Sequence, residues 1–309
     1  MTNKITVFAA WKTASERYVP AVREKLLGLA KAHLNKRVKK FIFKKGPAWV
    51  TNARENRAAE SPFFQLYPYH GPLRKKSVSA HSVVDLELGI FFHRIPKCAN
   101  SSIVASISQL REGRALSSSQ EFKRDLRKSL MKPADLSLDA AQKVKSLRKF
   151  VFVRNPYNRV LSAYLSKVAV AWDTNEQIRI HVTSRSAKSP LPTFAEFCGF
   201  LKRGGLYRNH HWYPQTDYLA FQASEYDFFG RVETIDADFK RLAQMIAGKE
   251  TSLEMLPEDP AHRTGSTEAM NRYYTPELYD LVYDIYKADF ETFGYSRIRG
   301  SKFLHPRSI

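Results

Sequence analysis

The chain has 309 residues, 43% of them hydrophobic and 13% aromatic, with a formal net charge of +20. That apolar content supports one substantial core and excludes a disordered or low-complexity protein. The two cysteines are too few for a disulfide framework, and no stretch of sequence approaches an apolar membrane span.

The charge is unevenly placed. Residues 1–80 hold 17 Lys and Arg against 4 Glu, a net of +13, and the rest of the chain contributes +7. Within this basic N-terminal extension Val22, Leu26, Leu29, Ala30, Val38, Phe41 and Ile42 recur at roughly helical spacing, flanked by Lys36, Arg37, Lys39, Lys40, Lys44 and Lys45. A basic amphipathic helix packs on a core, holds a polyanion, or makes peripheral contact with an anionic membrane. Packing is the expectation and membrane contact the alternative. Residues 46–80, with prolines, glycines and scattered aromatics, read as an irregular connector. The expected organisation is an extension and connector over 1–80 and a main domain over 81–309.

Leu88 to Phe92 is a short apolar run suited to a buried strand, and Pro96 ends it. Ser101 and Ser102 are positioned to cap a following helix whose apolar face includes Ile103, Ile107 and Leu110. Backbone N–H groups of residues 98–102 (Cys98, Ala99, Asn100, Ser101 and Ser102) would then face an anion, with Lys97 adding a full positive charge. The spacing G-x-x-x-x-G-K-[ST] of an ATP-binding loop is absent. The plain alternative is a capped turn with a surface lysine.

A second strand, turn and helix follow. Lys149 to Val153 reads as the strand, Asn155-Pro156 breaks it, and Pro156 suits the first turn of a helix. Val160, Leu161, Tyr164, Leu165 and Val168 mark that helix. Arg154 at the strand tip and Ser162 in the second helical turn can grip one phosphate between a guanidinium and a hydroxyl. An ion pair for Arg154 and a back-bonded Ser162 are the bland alternative. Two anion sites at the carboxyl ends of strands in a parallel α/β sheet suit a ligand with two separated phosphates.

Farther along, Asn209-His210-His211-Trp212-Tyr213-Pro214-Gln215 places paired imidazoles beside a tryptophan, and Tyr226-Asp227-Phe228-Phe229-Gly230-Arg231-Val232-Glu233-Thr234 follows. His262-Arg263-Thr264-Gly265-Ser266 is a polar stretch able to close over a nucleotide. Thr275 caps a helix with Pro276 at its first position. Tyr279, Val282, Tyr286 and Phe290 form its buried stripe, and Gly294 stops it.

These strings together resemble the membrane-bound carbohydrate sulfotransferase family, in particular the branch containing chondroitin 4-sulfotransferases. Its first phosphate loop runs Pro-Lys-x-Ala-Cys-Thr, against Pro96-Lys97-Cys98-Ala99-Asn100-Ser101 here. Its second runs Phe-Val-Arg-x-Pro-Phe-x-Arg-x-x-Ser-Ala-Phe, matched by Phe152 through Tyr164. The Asn-x-His-Trp, Tyr-Asp-Phe-x-Gly-x-x-Glu-Thr and C-terminal strings fall in the family's order. The resemblance implies an α/β fold, a P-loop-NTPase-like parallel sheet flanked by helices, and 3′-phosphoadenosine 5′-phosphosulfate as sulfuryl donor. It assigns Arg94, Lys97, Cys98, Ala99, Asn100, Ser101 and Ser102 to the 5′-phosphosulfate, and Arg154 and Ser162 to the 3′-phosphate. Lys97 would stabilise the leaving group and His211 would act as base, with His210 and Glu233 as the other choices. The acceptor would be a hydroxyl of a carbohydrate or glycolipid.

Two departures stand out. Where Golgi members carry Leu-Cys-x-Pro-Cys, this chain has Leu219-Ala220-Phe221-Gln222-Ala223, and Met1-Thr2-Asn3-Lys4 opens no signal-peptide pattern. Both suggest a soluble, bacterial-type, cytoplasmic enzyme. Cys98 reads as a small buried filler, although an anion loop can lower a thiol pKa. No metal is required, and no His/Cys/Asp cluster at ligand spacing is present. The competing class is a non-enzymatic polyanion binder, but no nucleic-acid motif appears and nucleic acid is not expected as a partner.

Overall fold

The computed structural model describes residues 55–112, 130–169, 191–248, 255–256 and 264–297. The basic helix read over residues 22–45 lies outside them, as do His262 and Arg263. The elements below belong to the compact unit 57–309.

Where the sequence reads an irregular connector, the chain forms two short helices, α1 (Pro62–Leu66) and α2 (Lys75–Ala80). Burial explains the difference: Phe63 and Phe64 are 0% and 2% exposed, and the Phe63 ring stacks on Phe91 at 5.8 Å. There follow β1 (Ser82–Asp85), β2 (Ile90–His93), α3 (Asn100–Glu112), α4 (Leu138–Lys143), β3 (Arg148–Val153), α5 (Pro156–Lys167) and α6 (Phe194–Phe200). The order closes with β4 (Phe228–Arg231), α7 (Ile235–Ala247), α8 (Ser266–Tyr273), α9 (Pro276–Ile285) and α10 (Lys287–Phe293).

Among the described residues the strands form one sheet in the order β1-β2-β3-β4. β2, β3 and β4 are parallel, with Phe92 opposite Phe150 and Phe150 opposite Phe228. The expected all-parallel sheet is corrected at one edge, where β1 pairs antiparallel with β2. The turn between them is too short for a crossover, and a short turn can only return the chain antiparallel.

Both faces of the sheet are covered, which is why β2 and β3 read as nearly unbroken apolar runs. Ile90, Phe92, Phe150 and Phe152 turn to Ile103, Val104 and Ile107 of α3 and to Phe239 and Leu242 of α7. Phe91, Val151 and Val153 turn to the other face, with Val160 and Leu161 of α5, Phe197 of α6 and Val282 of α9. Gly230 of β4 faces Phe152 across the ladder, and a Cβ there would lie 2.4 Å from the Phe152 ring.

The C-terminal stripe is buried as expected, with Tyr279, Val282, Tyr286 and Phe290 between 0% and 6% exposed. It spans two helices, since Tyr286 leaves helical geometry (φ −111°, ψ 23°) between α9 and α10. The break redirects the chain so that Asp289 reaches residues 215 and 216. Thr275 caps α9 through Leu278 N–H with Pro276 at the first turn, and Gly294 (φ 66°) ends α10. Among the described residues, no helix is long and apolar enough to cross a membrane.

Candidate functional site

Tips of neighbouring parallel strands lie only about 4.8 Å apart, so the turns after β2 and β3 must run side by side. In the first turn Lys97 and Ala99 adopt left-handed backbone (φ 70° and 50°), with Cys98 between them at negative φ. Each such residue costs about 1–2 kcal/mol without glycine's freedom. An alternation of this kind turns successive N–H groups toward one side, the geometry of a backbone nest. α3 opens immediately at Asn100, so Ser101 and Ser102 stand in its first turn rather than ahead of it. Of the N–H groups here, Cys98 donates to the Ile95 carbonyl at 3.3 Å, and Ser102 and Ile103 donate to the Ala99 carbonyl at 3.0 and 3.1 Å.

Lys97 Nζ donates to Ser166 Oγ at 2.9 Å, and Ser166 in turn donates to the Ser162 carbonyl. Arg94 Nη2 donates to the Ala80 carbonyl at the end of α2. Cys98 is buried, and burial pushes its thiol up to about 12, so the filler reading fits and a reactive thiolate does not. Its Sγ donates to Gln215 Oε1 at 3.1 Å.

In the second turn Asn155 caps α5 through Tyr157 N–H, with Pro156 in the first turn. Arg154 donates from Nη1 to the Lys97 carbonyl at 3.4 Å and from Nη2 to Ser266 Oγ at 2.9 Å. Ser162, 2% exposed, accepts at Oγ from Thr264 Oγ1 at 3.1 Å. Arg154 and Ser162 therefore meet one polar segment, 264–266, at the start of α8. The described end of the polar stretch lies against these two side chains.

The histidine string is held by its backbone. Trp212 is fully buried and donates from Nε1 to the Gly205 carbonyl at 3.0 Å, while Tyr286 OH donates to the Trp212 carbonyl at 2.6 Å. Tyr218 OH donates to the His210 carbonyl. Burial, then the charges of His210, Lys167, Lys97 and Arg159, drives His211 down to about 2, so its imidazole is neutral. Among the described residues its buried Nδ1 has no hydrogen-bond partner. Glu233 is differently employed: Oε1 accepts from Asn155 N–H at 2.7 Å and Oε2 from Tyr295 OH at 2.9 Å. Burial raises its carboxyl against those bonds.

What joins these parts carries no local signal in the sequence. Arg159, 1% exposed, donates from Nε to the Pro96 carbonyl at 3.1 Å and from Nη1 to the Tyr213 carbonyl at 2.7 Å. One guanidinium thus ties the Lys97 turn to the His211 loop. Gln215, fully buried, accepts from Arg154 N–H at 2.9 Å and donates to the Arg154 carbonyl at 2.9 Å. Asp289 accepts from the backbone N–H groups of Gln215 and Thr216 at 2.8 and 2.9 Å. Burial raises its carboxyl, and the Arg159 charge opposes that.

His93, at the end of β2, is structural. Ala220 N–H donates to its Nε2, so the ring proton sits on Nδ1 toward Ser82 Oγ, and Tyr226 OH donates to Nε2 at 2.6 Å. Burial holds its pKa down at about 3.

The two cationic turns are joined by Arg154 on the Lys97 carbonyl, and the neutral His211 imidazole lies within electrostatic reach of Lys97. Residues 80–296 match the sulfotransferase family. Similar curated proteins include carbohydrate sulfotransferase 14 of Danio rerio, 25% identical over 72% of this chain and 64% of its own length. Carbohydrate sulfotransferase 11 of Danio rerio is 27% identical over 51% of this chain and 49% of its own length. Carbohydrate sulfotransferase 14 of Homo sapiens is 25% identical over 80% of this chain and 68% of its own length. The chain therefore spans about half to two thirds of these relatives. No solved structure matches it.

Proposed function

The chain belongs to the sulfotransferase family, and from that premise we propose that it transfers a sulfuryl group from 3′-phosphoadenosine 5′-phosphosulfate to a carbohydrate hydroxyl. In this reading the nest at residues 97–99, the first turn of α3 with Ser101 and Ser102, and Arg94 at the turn's start receive the 5′-phosphosulfate. Arg154 and Ser162, with Thr264 and Ser266 against them, receive the 3′-phosphate. Guanidinium and hydroxyl donors suit phosphate oxygens, and the nest suits a second anion.

The acceptor oxygen bonds to sulfur as the bond from sulfur to the leaving phosphate oxygen breaks, and adenosine 3′,5′-bisphosphate is released. Lys97 neutralises the charge that grows on that phosphate oxygen. To do so its ammonium leaves Ser166, a modest hydrogen bond to exchange for an anion. His211 takes the acceptor proton; it is neutral in the free enzyme, and the negative charge of a bound donor, offsetting Lys97, Lys167 and Arg159, would raise its basicity toward the working range. His210, whose ring lies 4.1 Å from that of His211, is the second choice. Glu233 is set aside as base because both its oxygens already hold the turn at Asn155 and the ring of Tyr295. The acceptor is a saccharide or glycolipid. Cys98 and Cys198 are free thiols, in keeping with a reducing, cytoplasmic setting.

The observation that carries the proposal is the contact between the two anion turns, Arg154 Nη1 to the Lys97 carbonyl, at adjacent strand tips. The test is calorimetric binding of adenosine 3′,5′-bisphosphate against adenosine 5′-monophosphate, repeated on Arg154→Ala. Preference for the bisphosphate, weakened roughly ten- to hundredfold in the variant, is expected. Equal or absent binding of both nucleotides would sink the proposal and leave a basic polyanion binder.

A further inference from the structure

The ladder between β2 and β3 ends at His93 and Val151, so past that point the two anion turns are held to each other by side chains. Gln215 is fully buried between them. Its Oε1 accepts from Cys98 Sγ at 3.1 Å and from Arg154 N–H at 2.9 Å. Its Nε2 donates to the Arg154 carbonyl at 2.9 Å and to Asp289 Oδ2 at 3.3 Å. An amide offers two lone pairs and two protons, and here all four are used. Arg154 N–H requires the amide oxygen on its side, which fixes the orientation of the group.

Cys98 is the middle residue of the first turn, between the left-handed Lys97 and Ala99. Burial pushes its thiol up to about 12, so it stays protonated and remains a donor at neutral pH. On the other side Gln215 grips Arg154 by the main chain, which leaves the guanidinium to other partners. In the sulfotransferase reading Arg154 Nη1 and Lys97 Nζ exchange the Lys97 carbonyl and Ser166 for phosphate oxygens. The Gln215 bonds involve neither charge, so they survive the arrival of nucleotide. Asp289 anchors this residue from behind, accepting its backbone N–H at 2.8 Å as well.

We propose that Cys98 and Gln215 form the spacer that sets the two turns at the separation of the two phosphates on the donor. This deepens the sulfotransferase reading and rests on it. Both are positioning residues, acting through the Lys97 and Arg154 turns. A ligand with two phosphates outbinds either phosphate alone because its second contact is intramolecular, and the advantage is largest when the sites already stand at its span. A loosened spacer leaves each turn able to take one phosphate and forfeits the joint gain.

The test is calorimetric binding of adenosine 3′,5′-bisphosphate, adenosine 5′-monophosphate and adenosine 3′-monophosphate to the full chain and its variants. Cys98→Ala removes the thiol donor and should weaken the bisphosphate roughly three- to tenfold more than it weakens either monophosphate. Cys98→Ser keeps a donor at that place and should restore most of the loss. Gln215→Met gives up all four bonds and should widen the gap further; if it unfolds, the two Cys98 variants decide alone. Equal losses for all three nucleotides would reduce the pair to packing and overturn the spacer. A Cys98→Ala protein that binds the bisphosphate like the wild type would do the same, while leaving the sulfotransferase reading in place. A wild type that holds the bisphosphate no better than the 5′-monophosphate would instead overturn that reading, and the spacer with it.

Discussion

At the scale of single residues, charge placement dominates. Lys97→Ala removes a charge-assisted contact of about 1.5–3 kcal/mol, so turnover should fall roughly ten- to over a hundredfold. Steady-state assays with a fixed acceptor would show it, and wild-type turnover would exclude Lys97 from the leaving-group side. Arg159 gives two contrasting variants. Arg159→Lys keeps a cation near Asp289 but cannot span two carbonyls as the planar guanidinium does. The protein should fold with nucleotide affinity little changed and turnover lowered. Arg159→Met leaves the Pro96 and Tyr213 carbonyls without their buried donor, and urea unfolding should show a loss of about 1–3 kcal/mol. The placement of Lys97, Arg154 and Ser162 at the two turns was legible because each sits at a fixed offset from a strand end. Arg159, Gln215 and Asp289 were not, because their partners lie more than 50 residues away. Nothing local distinguishes a clamping arginine from a surface one.

At the scale of elements, strand–turn–helix units were legible wherever an apolar run, a proline and a helical stripe coincide, as at Phe150 to Val168. β1 escaped because four residues, Ser82–Asp85, carry too little pattern, and their pairing was fixed by the turn that follows. α1 and α2 escaped because prolines and glycines nearby spoke for a connector, whereas burial of Phe63 and Phe64 decided the outcome. The glycine of the Tyr226 to Thr234 string has a packing reason. Gly230→Ala places a methyl against the Phe152 ring, which is 2% exposed and has no room to retreat. Overpacking of this kind should cost about 1–3 kcal/mol. Thermal or urea denaturation would register it, and an unchanged midpoint would mean that β4 shifts freely on β3.

At the scale of the whole molecule, pH acts through buried groups. His93 is neutral in the folded protein, with a pKa near 3, and ionises near 6.5 once unfolded. Below pH 6.5 the unfolded chain takes up a proton that the folded chain refuses, so this contribution to stability is lost as pH falls. At pH 5 the loss is about 2 kcal/mol. Asp217, held up at about 6 by burial, works in the opposite sense over the same range. The measurement is therefore the difference in pH slope between wild type and His93→Gln in urea melts, with the wild type losing more on acidification. Equal slopes would place a proton on His93 in the folded state. Another whole-molecule trait follows from how the histidine loop is moored. Arg159, Trp212, Tyr218 and Tyr286 all grasp carbonyl oxygens of residues 205–213, an interaction blind to side-chain identity. Exposed positions such as Tyr207 and Arg208 can thus be rewritten while the path of the loop persists. The loop's course is set by its main chain, so the side chains at its exposed rim are free to vary with no rebuilding of what lies beneath.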